Sequence, residues 1–443
     1  MPGRLEPLPY SKIRHRIWKM AWPIVVSNVS VPLLGAVDTA VVGHLPDPSY
    51  IGAVAIGAMI YFFIFHGFNC LRMGTTGPTA QARGKGDMGE VKVMLGRALL
   101  LAITIGCAVV ALQLPIAYFA FSTINASVTV ETLGQEYFLI RIWAMPASLA
   151  SFAIIGWFYG LHDSRVPLTL QFFTNGVNII LDLVFVFVFG WGVIGVAIAS
   201  LIAEYLGFLL AVFLIVRRLK LFPVGKDEAK IFNPVKLRMM MQVNMDIFLR
   251  TICVVSGFAM FIAQSAQFGD VTLAANQVLY NFAHFMTFGL DAFAHTAEAM
   301  VGEAVGRKDR VEFQRVVRGA FLWAAITAIG FASIYGIFGN WIIGLLTNIP
   351  EVRTVAADYL IWVVVSPLVA VWAYTFDGVY LGATRTRILR NSMFLSFVLY
   401  MAVIFSFMPL IGNNALWLGL LIFLGCRGIA QLIAYRGLVR SIS

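Results

Sequence analysis

Apolar residues in this chain gather into runs of about 20 residues or more, the length a helix needs to cross a hydrocarbon layer about 30 Å thick. Bounded by Gly, Pro and clusters of charge, the runs lie at 19–43, 51–80, 93–118, 133–160, 167–190, 193–216, 237–266, 272–305, 316–345, 354–382, 388–411 and 414–435. In lipid each backbone polar group has to be satisfied inside its own segment, so runs of this length are expected to be helices. Composition agrees, since 60% of the residues are hydrophobic and 12% charged, whereas a soluble domain carries about 25% charged residues. Twelve spans consume most of the 443 residues and leave no room for an aqueous domain of catalytic size. Soluble kinases, dehydrogenases and DNA-binding proteins are excluded, and the net charge of +10 does not indicate a nucleic-acid partner.

That charge is instead sorted by side. Of the 32 Lys and Arg residues, most fall in the N-terminal arm, around Arg83–Arg97, at Arg165, between Arg217 and Arg238, between Arg307 and Arg318, between Arg385 and Arg390, and at Arg436 and Arg440. All these positions face one side of a twelve-span chain, and in connectors only Arg353 faces the other. The positive-inside rule then places both termini in the cytoplasm. The expected layout is an N-terminal arm at 1–18, a first lobe at 19–216, a cytoplasmic linker at 217–236, a second lobe at 237–435 and a tail at 436–443. The basic N-terminus followed by an apolar stretch superficially resembles a secretory signal, but the stretch runs to about Gly43 and contains Asp38, so it is read as a retained first helix. Cys70, Cys107, Cys253 and Cys426 all fall inside apolar runs and are read as small buried hydrophobes. Asn125-Ala126-Ser127 matches a glycosylation sequon by chance.

The chain also repeats itself. Shifted by 222 residues, about half its length, Gly84-Lys85-Gly86-Asp87 meets Gly306-Arg307-Lys308-Asp309, Glu90 meets Glu312, Gly156 meets Gly378, Gly160 meets Gly382 and Arg165 meets Arg387. Six spans per half is an even number, so the halves insert in the same orientation, and a pseudo-two-fold axis along the membrane normal is expected, with a central cleft between two six-helix lobes. Secondary transporters are commonly built this way. Gly156/Gly160 and Gly378/Gly382 predict close helix contacts.

Within the spans, each carboxylate costs roughly 2.5–3.5 kcal/mol on insertion scales and is a functional hypothesis by default. Counted from the outer span ends at 1.5 Å per residue, Asp38, Asp182 and Ser200 share one level, roughly 9–12 Å deep. Asn178 lies on the same helix face as Asp182, one turn deeper. Closed into a bundle, Asp38, Asn178, Asp182 and Ser200 can meet as a set of hard oxygen ligands. Two carboxylates sharing a dry pocket resist ionising together, which suits a proton carrier; the same oxygens equally suit Na⁺. The structural alternative is hydrogen bonding to backbone freed by Pro23 or Pro32, or polar glue between helices.

The second half differs. Asp246 and Arg250, four apart on one span, are expected to form a structural ion pair, while Asp291, Glu298 and Asp377 are candidate cleft-lining acids. Glu204, His66, His284 and His295 are weaker signals. Nothing reads as HExxH, Walker A or GxSxG, so no enzyme and no cofactor are expected. The only metal anticipated is a coupling Na⁺.

The run Val31-Pro32-Leu33-Leu34-Gly35-Ala36-Val37-Asp38-Thr39-Ala40-Val41-Val42-Gly43-His44-Leu45 resembles the first span of the MATE (multidrug and toxic compound extrusion) family, most closely its bacterial DinF branch. Arg72-Met73-Gly74-Thr75-Thr76-Gly77, Ile202-Ala203-Glu204-Tyr205, Leu290-Asp291-Ala292-Phe293, Asp377-Gly378 and Gly412-Asn413-Asn414-Ala415-Leu416-Trp417-Leu418 extend the resemblance over nearly the whole chain. It implies an antiporter of the bacterial inner membrane, functional as a monomer, that exports amphipathic, often cationic, small molecules on an inward H⁺ or Na⁺ gradient. The family's N-lobe cation site falls on Asp38, Asn178, Asp182 and Ser200, and its first-helix hinge on Pro23. The related NorM branch uses acids on spans seven and ten as a C-lobe Na⁺ site. Here Asp377 fits one position, but Asp246 stands beside Arg250, whose guanidinium opposes a bound cation. Outside this reading stand a flippase for lipid-linked or amphipathic cargo and a non-transporting membrane sensor or scaffold.

Overall fold

The computed structural model describes residues 9–43, 49–123, 127–222 and 230–442, without the side chains of 29, 31–40, 42 and 43. Asn125 of the sequon and the middle of the 217–236 linker lie outside the described residues. Those described form no strand; the elements are α1 (Tyr10–Gly43), α2 (Ser49–Gly67), α3 (Cys70–Gly84), α4 (Met88–Ala111), α5 (Gln113–Ser122), α6 (Val128–Arg141), α7 (Met145–Gly160), α8 (Arg165–Leu183), α9 (Gly192–Leu219), α10 (Pro234–Ser265), α11 (Asp270–Gly306), α12 (Arg310–Leu346), α13 (Pro350–Gly382), α14 (Thr386–Ile411) and α15 (Asn414–Arg440). Among the described residues ten helices, counting α2 with α3 and α6 with α7 as one each, are long and apolar enough to cross a membrane. At 34 and 37 residues, α1 and α11 also have the length of a span. The chain is an all-helical, multi-pass membrane protein.

Contacts sort the helices into two compact units, one running from Val26 to Met240 and the other joining Met241–Ser443 to the chain up to Val25. Within the first, Trp157 fills the contact between α4 and α7, its indole N–H donating to the Val91 carbonyl at 2.8 Å. Within the second, Ile13, Ile17, Ala21 and Ile24 at the start of α1 are fully buried. Ile17 presses against Gly319 of α12 so closely that a Cβ there would lie 2.7 Å from its Cδ1. The Arg16 guanidinium reaches Glu303 at 2.7 Å, and Trp323 donates to the Arg14 carbonyl at 3.2 Å. The described part of the segment expected as an N-terminal arm is thus helical from Tyr10 and packed.

The repeat extends to the backbone. Left-handed residues recur in register at Gly86 and Lys308 (φ 77° and 57°), His162 and Thr384 (61° and 53°), and Gly190 and Gly412 (68° and 57°). At the first two pairs the left-handed residue and the one after it each return an N–H hydrogen bond to the last turn, the latter being Asp87 N–H to the Ala82 carbonyl and Asp309 N–H to Ala304, both 3.0 Å, then Asp163 to Phe158 and Arg385 to Tyr380, both 2.9 Å. Such a pair of bonds at a left-handed residue is how a helix satisfies its final carbonyls. Asp87 and Asp309 then cap the next helix, each accepting from the N–H three residues on at 2.8 Å.

The paired glycines make the close contacts their spacing predicts. A Cβ on Gly156 would lie 2.3 Å from the Arg72 carbonyl oxygen, and one on Gly378 would lie 2.1 Å from that of Ala294, its repeat equivalent. All four cysteines are free; Cys70 and Cys253 are buried as expected, but Cys107 is exposed on the outer face of α4, where lipid rather than protein accepts an apolar thiol.

Candidate functional site

On α8 the polar residues Gln171, Asn175, Asn178 and Asp182 follow one another at spacings of four, three and four, which puts them on one helix face. The opposite face shows Phe172, Phe173, Ile180 and Leu183, all exposed. Asp182 is 0%, Asn178 2% and Ser200 of α9 4% exposed, so this part of the stripe is sealed inside the unit.

Asn178 ties the three together. With its amide nitrogen toward the carboxylate, it donates to Asp182 Oδ2 at 3.3 Å, while its oxygen accepts from Ser200 Oγ at 3.0 Å and Ser200 N–H at 3.3 Å. In the opposite orientation Nδ2 donates to Ser200 Oγ at 3.0 Å and leaves the carboxylate facing an oxygen. The first orientation satisfies more of this buried polar set and is favoured on that ground. Directly after Asp182, α8 widens into a π-helical turn at Val184–Val188, a distortion that recurs at functional sites. Asp38 lies on α1, but its side chain is outside the described residues. Pro23 is buried in α1 two residues before the boundary between units.

One turn back from this cluster, the Asn175 amide nitrogen lies 3.4 Å from both the Ser30 hydroxyl and the Ser30 carbonyl on α1. The Gln171 amide donates to Asn175 Oδ1 at 2.9 Å. Neither residue carries a charge that marks it in the sequence, but their spacing from Asn178 puts them on its face. Elsewhere in this unit, Arg141 approaches Glu204 at 3.8 Å and lies 4.5 Å from the Tyr61 ring centroid, so Glu204 has a structural partner.

The other unit arranges its charges around arginine. Arg250 donates a short hydrogen bond to Asp377 Oδ2, Arg427 Nη2 stands 3.5 Å from the same oxygen, and Gln431 donates to Oδ1 at 2.7 Å. Asp246 and Arg250, expected to pair with each other, pair elsewhere instead. Asp246 takes hydrogen bonds from Arg390 at 2.7 Å and from the Thr386 hydroxyl at 2.9 Å, both near the start of α14. Spacing of four put the two on one face of α10, but each finds a partner on another helix that is better aimed. Glu298 is fully buried on α11 and Asp291 half-buried one level away. Both Asp291 and Asp377 are within electrostatic reach of Tyr374, whose hydroxyl meets that of Thr287 at 2.9 Å.

The MatE family model matches residues 23–184 and 247–406, one block in each half of the repeat. The chain belongs to the MatE family. It is 36% identical over 420 residues to DNA damage-inducible protein F of Escherichia coli, covering 95% of this chain and 91% of that one. A probable multidrug resistance protein NorM of Bacillus anthracis is 25% identical over 359 residues, 77% of each chain. Among solved structures, the Vibrio cholerae MATE transporter VcmN in the bent form superposes with a TM-score of 0.86 over 98% of both chains at 20% identity. A transporter of the MOP superfamily from Pyrococcus furiosus gives 0.84 over 97% of this chain and 96% of that one at 17% identity. These likenesses fix the fold, and the family is one of transporters rather than enzymes.

Proposed function

We propose that the protein is a secondary antiporter of the bacterial inner membrane that exports amphipathic, often cationic, organic compounds, driven by H⁺ or Na⁺ entering through Asp38, Asn178, Asp182 and Ser200. The observation that carries this reading is the sealed cluster of Asp182 with an amide and a hydroxyl, a set of hard oxygens at bilayer depth. A buried carboxylate with such neighbours gains most when a proton or an alkali cation joins it. The acid the other half offers for that role, Asp377, already has guanidinium partners. Both termini face the cytoplasm in this reading, the protein acts as a monomer, and Pro23 is where α1 bends.

The gradients suffice for such work. One charge crossing 100 mV supplies about 2.3 kcal/mol, and a tenfold concentration gradient adds roughly 1.4 kcal/mol. A flippase for anionic head groups would need several uncommitted arginines; of the four candidates Arg72, Arg141, Arg250 and Arg427, Arg250 and Arg427 share Asp377, Arg141 stands by Glu204 and Arg72 donates to Asn69 at 3.1 Å.

The test is dye efflux from proteoliposomes with H⁺ and Na⁺ gradients imposed separately. Asp38→Asn keeps size and hydrogen bonding but cannot titrate, so it should bind cargo and lose gradient-driven flux. Normal coupled flux in that variant would sink the assignment, and the gradient that drives the unmodified protein identifies the ion.

A further inference from the structure

The polar stripe of α8 does not stop at the coupling cluster. It continues for two further residues toward the Arg165 end of the helix, which the charge distribution places in the cytoplasm. From Asp182 to Gln171 the helix rises about 16 Å, and from Gln171 to Arg165 about 9 Å. Burial falls along that line, from Asp182 at 0% and Asn178 at 2% to Asn175 at 7% and a half-buried Gln171. Alongside it, α1 supplies Ser30, whose hydroxyl lies 3.4 Å from the Asn175 amide and donates to the Ser27 carbonyl at 2.7 Å.

An ionisable group inside a spanning bundle marks an ion route by default, and uncharged polar groups aligned with it on one helix face extend that line. Packing alone explains one amide holding α8 to α1. It does not explain Gln171, which touches Asn175 on its own helix and extends the series outward. Resting on the reading of Asp182 as part of the coupling site, we propose that Gln171, Asn175 and Ser30 form the cytoplasmic exit by which the coupling cation leaves the Asp182–Asn178–Ser200 cluster. Amide and hydroxyl oxygens replace water around an alkali cation step by step, and the same groups order a short water chain for a proton. Neither amide titrates, so the route passes the cation without storing it.

An exit separates from a structural brace in one comparison. Cargo/cargo exchange across the bilayer requires the protein to bind cargo and change conformation but does not require the coupling cation to leave; gradient-driven efflux requires both. In proteoliposomes Asn175→Leu should slow gradient-driven efflux by about tenfold while cargo/cargo exchange stays within about twofold of the unmodified protein. Asn175→Ser, which restores a hydroxyl, should recover most of the coupled rate, and Gln171→Leu should show a smaller loss than Asn175→Leu. Equal loss of both fluxes in Asn175→Leu, or coupled flux within about twofold of normal, would overturn the proposal. If Asn175→Leu does not reach the membrane, Asn175→Ala is read by the same ratio. Asp182→Asn, measured in parallel, keeps the two ideas apart: normal coupled flux there removes the site itself and the route with it, whereas lost flux there beside normal flux in Asn175→Leu removes the route alone.

Discussion

The two halves of the chain share turns and caps but not interiors. In the N-terminal half the second span breaks between Gly67 and Cys70, the third at Leu112, the fourth through a 3₁₀ turn at Ile142–Ala144, and the fifth widens at Val184–Val188. Their counterparts α11, α12, α13 and α14 run unbroken. The polar residues diverge in the same way. Shifted by 222, Asn178, Asp182 and Ser200 meet Tyr400, Ile404 and Ile422, while Arg250, Asp377 and Arg427 meet Asn28, Ile155 and Tyr205. Irregular backbone at membrane depth survives only where protein or a polar lining satisfies it. The half that places Asp182 beside an amide and a hydroxyl on α8 and α9 is also the half that breaks its helices; in the half where Asp377 pairs with arginine the counterpart helices are unbroken. On the proposed reading, one half responds to a cation and the other holds its shape.

Removing charge should therefore have opposite consequences on the two sides, and the largest effect on stability belongs to the second. Asp377→Asn leaves two buried guanidiniums around an uncharged amide, and loss of one partner from a buried ion cluster costs about 3–5 kcal/mol. Thermal unfolding in detergent should show a large drop in Tm, whereas Asp182→Asn should move Tm little. Comparable drops in both variants would erase the proposed division of labour.

A smaller effect should be shared. Gly156→Ala and Gly378→Ala each drive a methyl into a carbonyl of the facing helix, and forced overpacking costs about 1–3 kcal/mol. Similar losses of Tm in the two variants would confirm that helix contact is the conserved part of the repeat; a loss confined to one half would show that the contacts, too, have diverged. The smallest expected effect is at the caps. Asp87→Ala and Asp309→Ala each remove one acceptor from a helix start, worth about 1 kcal/mol. Hydrogen exchange at Glu90 and Glu312 should rise by similar factors if the turns are as alike in energy as in geometry.

Sequence periodicity was enough to find the helices, the repeat and the glycine contacts, because run length and register are properties of one segment at a time. The partner of Asp246 was not legible. Which of several helices presents the better-aimed guanidinium depends on packing between segments distant in the chain, and Arg390 is 144 residues away. The broken spans escaped for another reason: Pro115, which removes the bond back to Ala111, lies inside a continuous apolar run, and the π turn at Val184–Val188 lies in a Val/Phe run with no breaker. Asn178 and Ser200 were legible from their face and depth beside Asp182, while Asn175 and Gln171 lie farther along the helix from any carboxylate that would point to them.

The buried start of α1 bears on how the protein is made. Residues Tyr10 to Val25 belong to the unit built mostly from Met241 onward, and the tryptophan that donates to the Arg14 carbonyl lies 309 residues later. At about 5–20 residues per second a ribosome needs roughly 15–60 s to cover that distance. For that interval Ile13, Ile17 and Trp18 emerge without their eventual neighbours, so the nascent chain has to leave its first turns on the membrane surface or with a chaperone until α12 arrives. A segment made early is thus among the last to complete its packing.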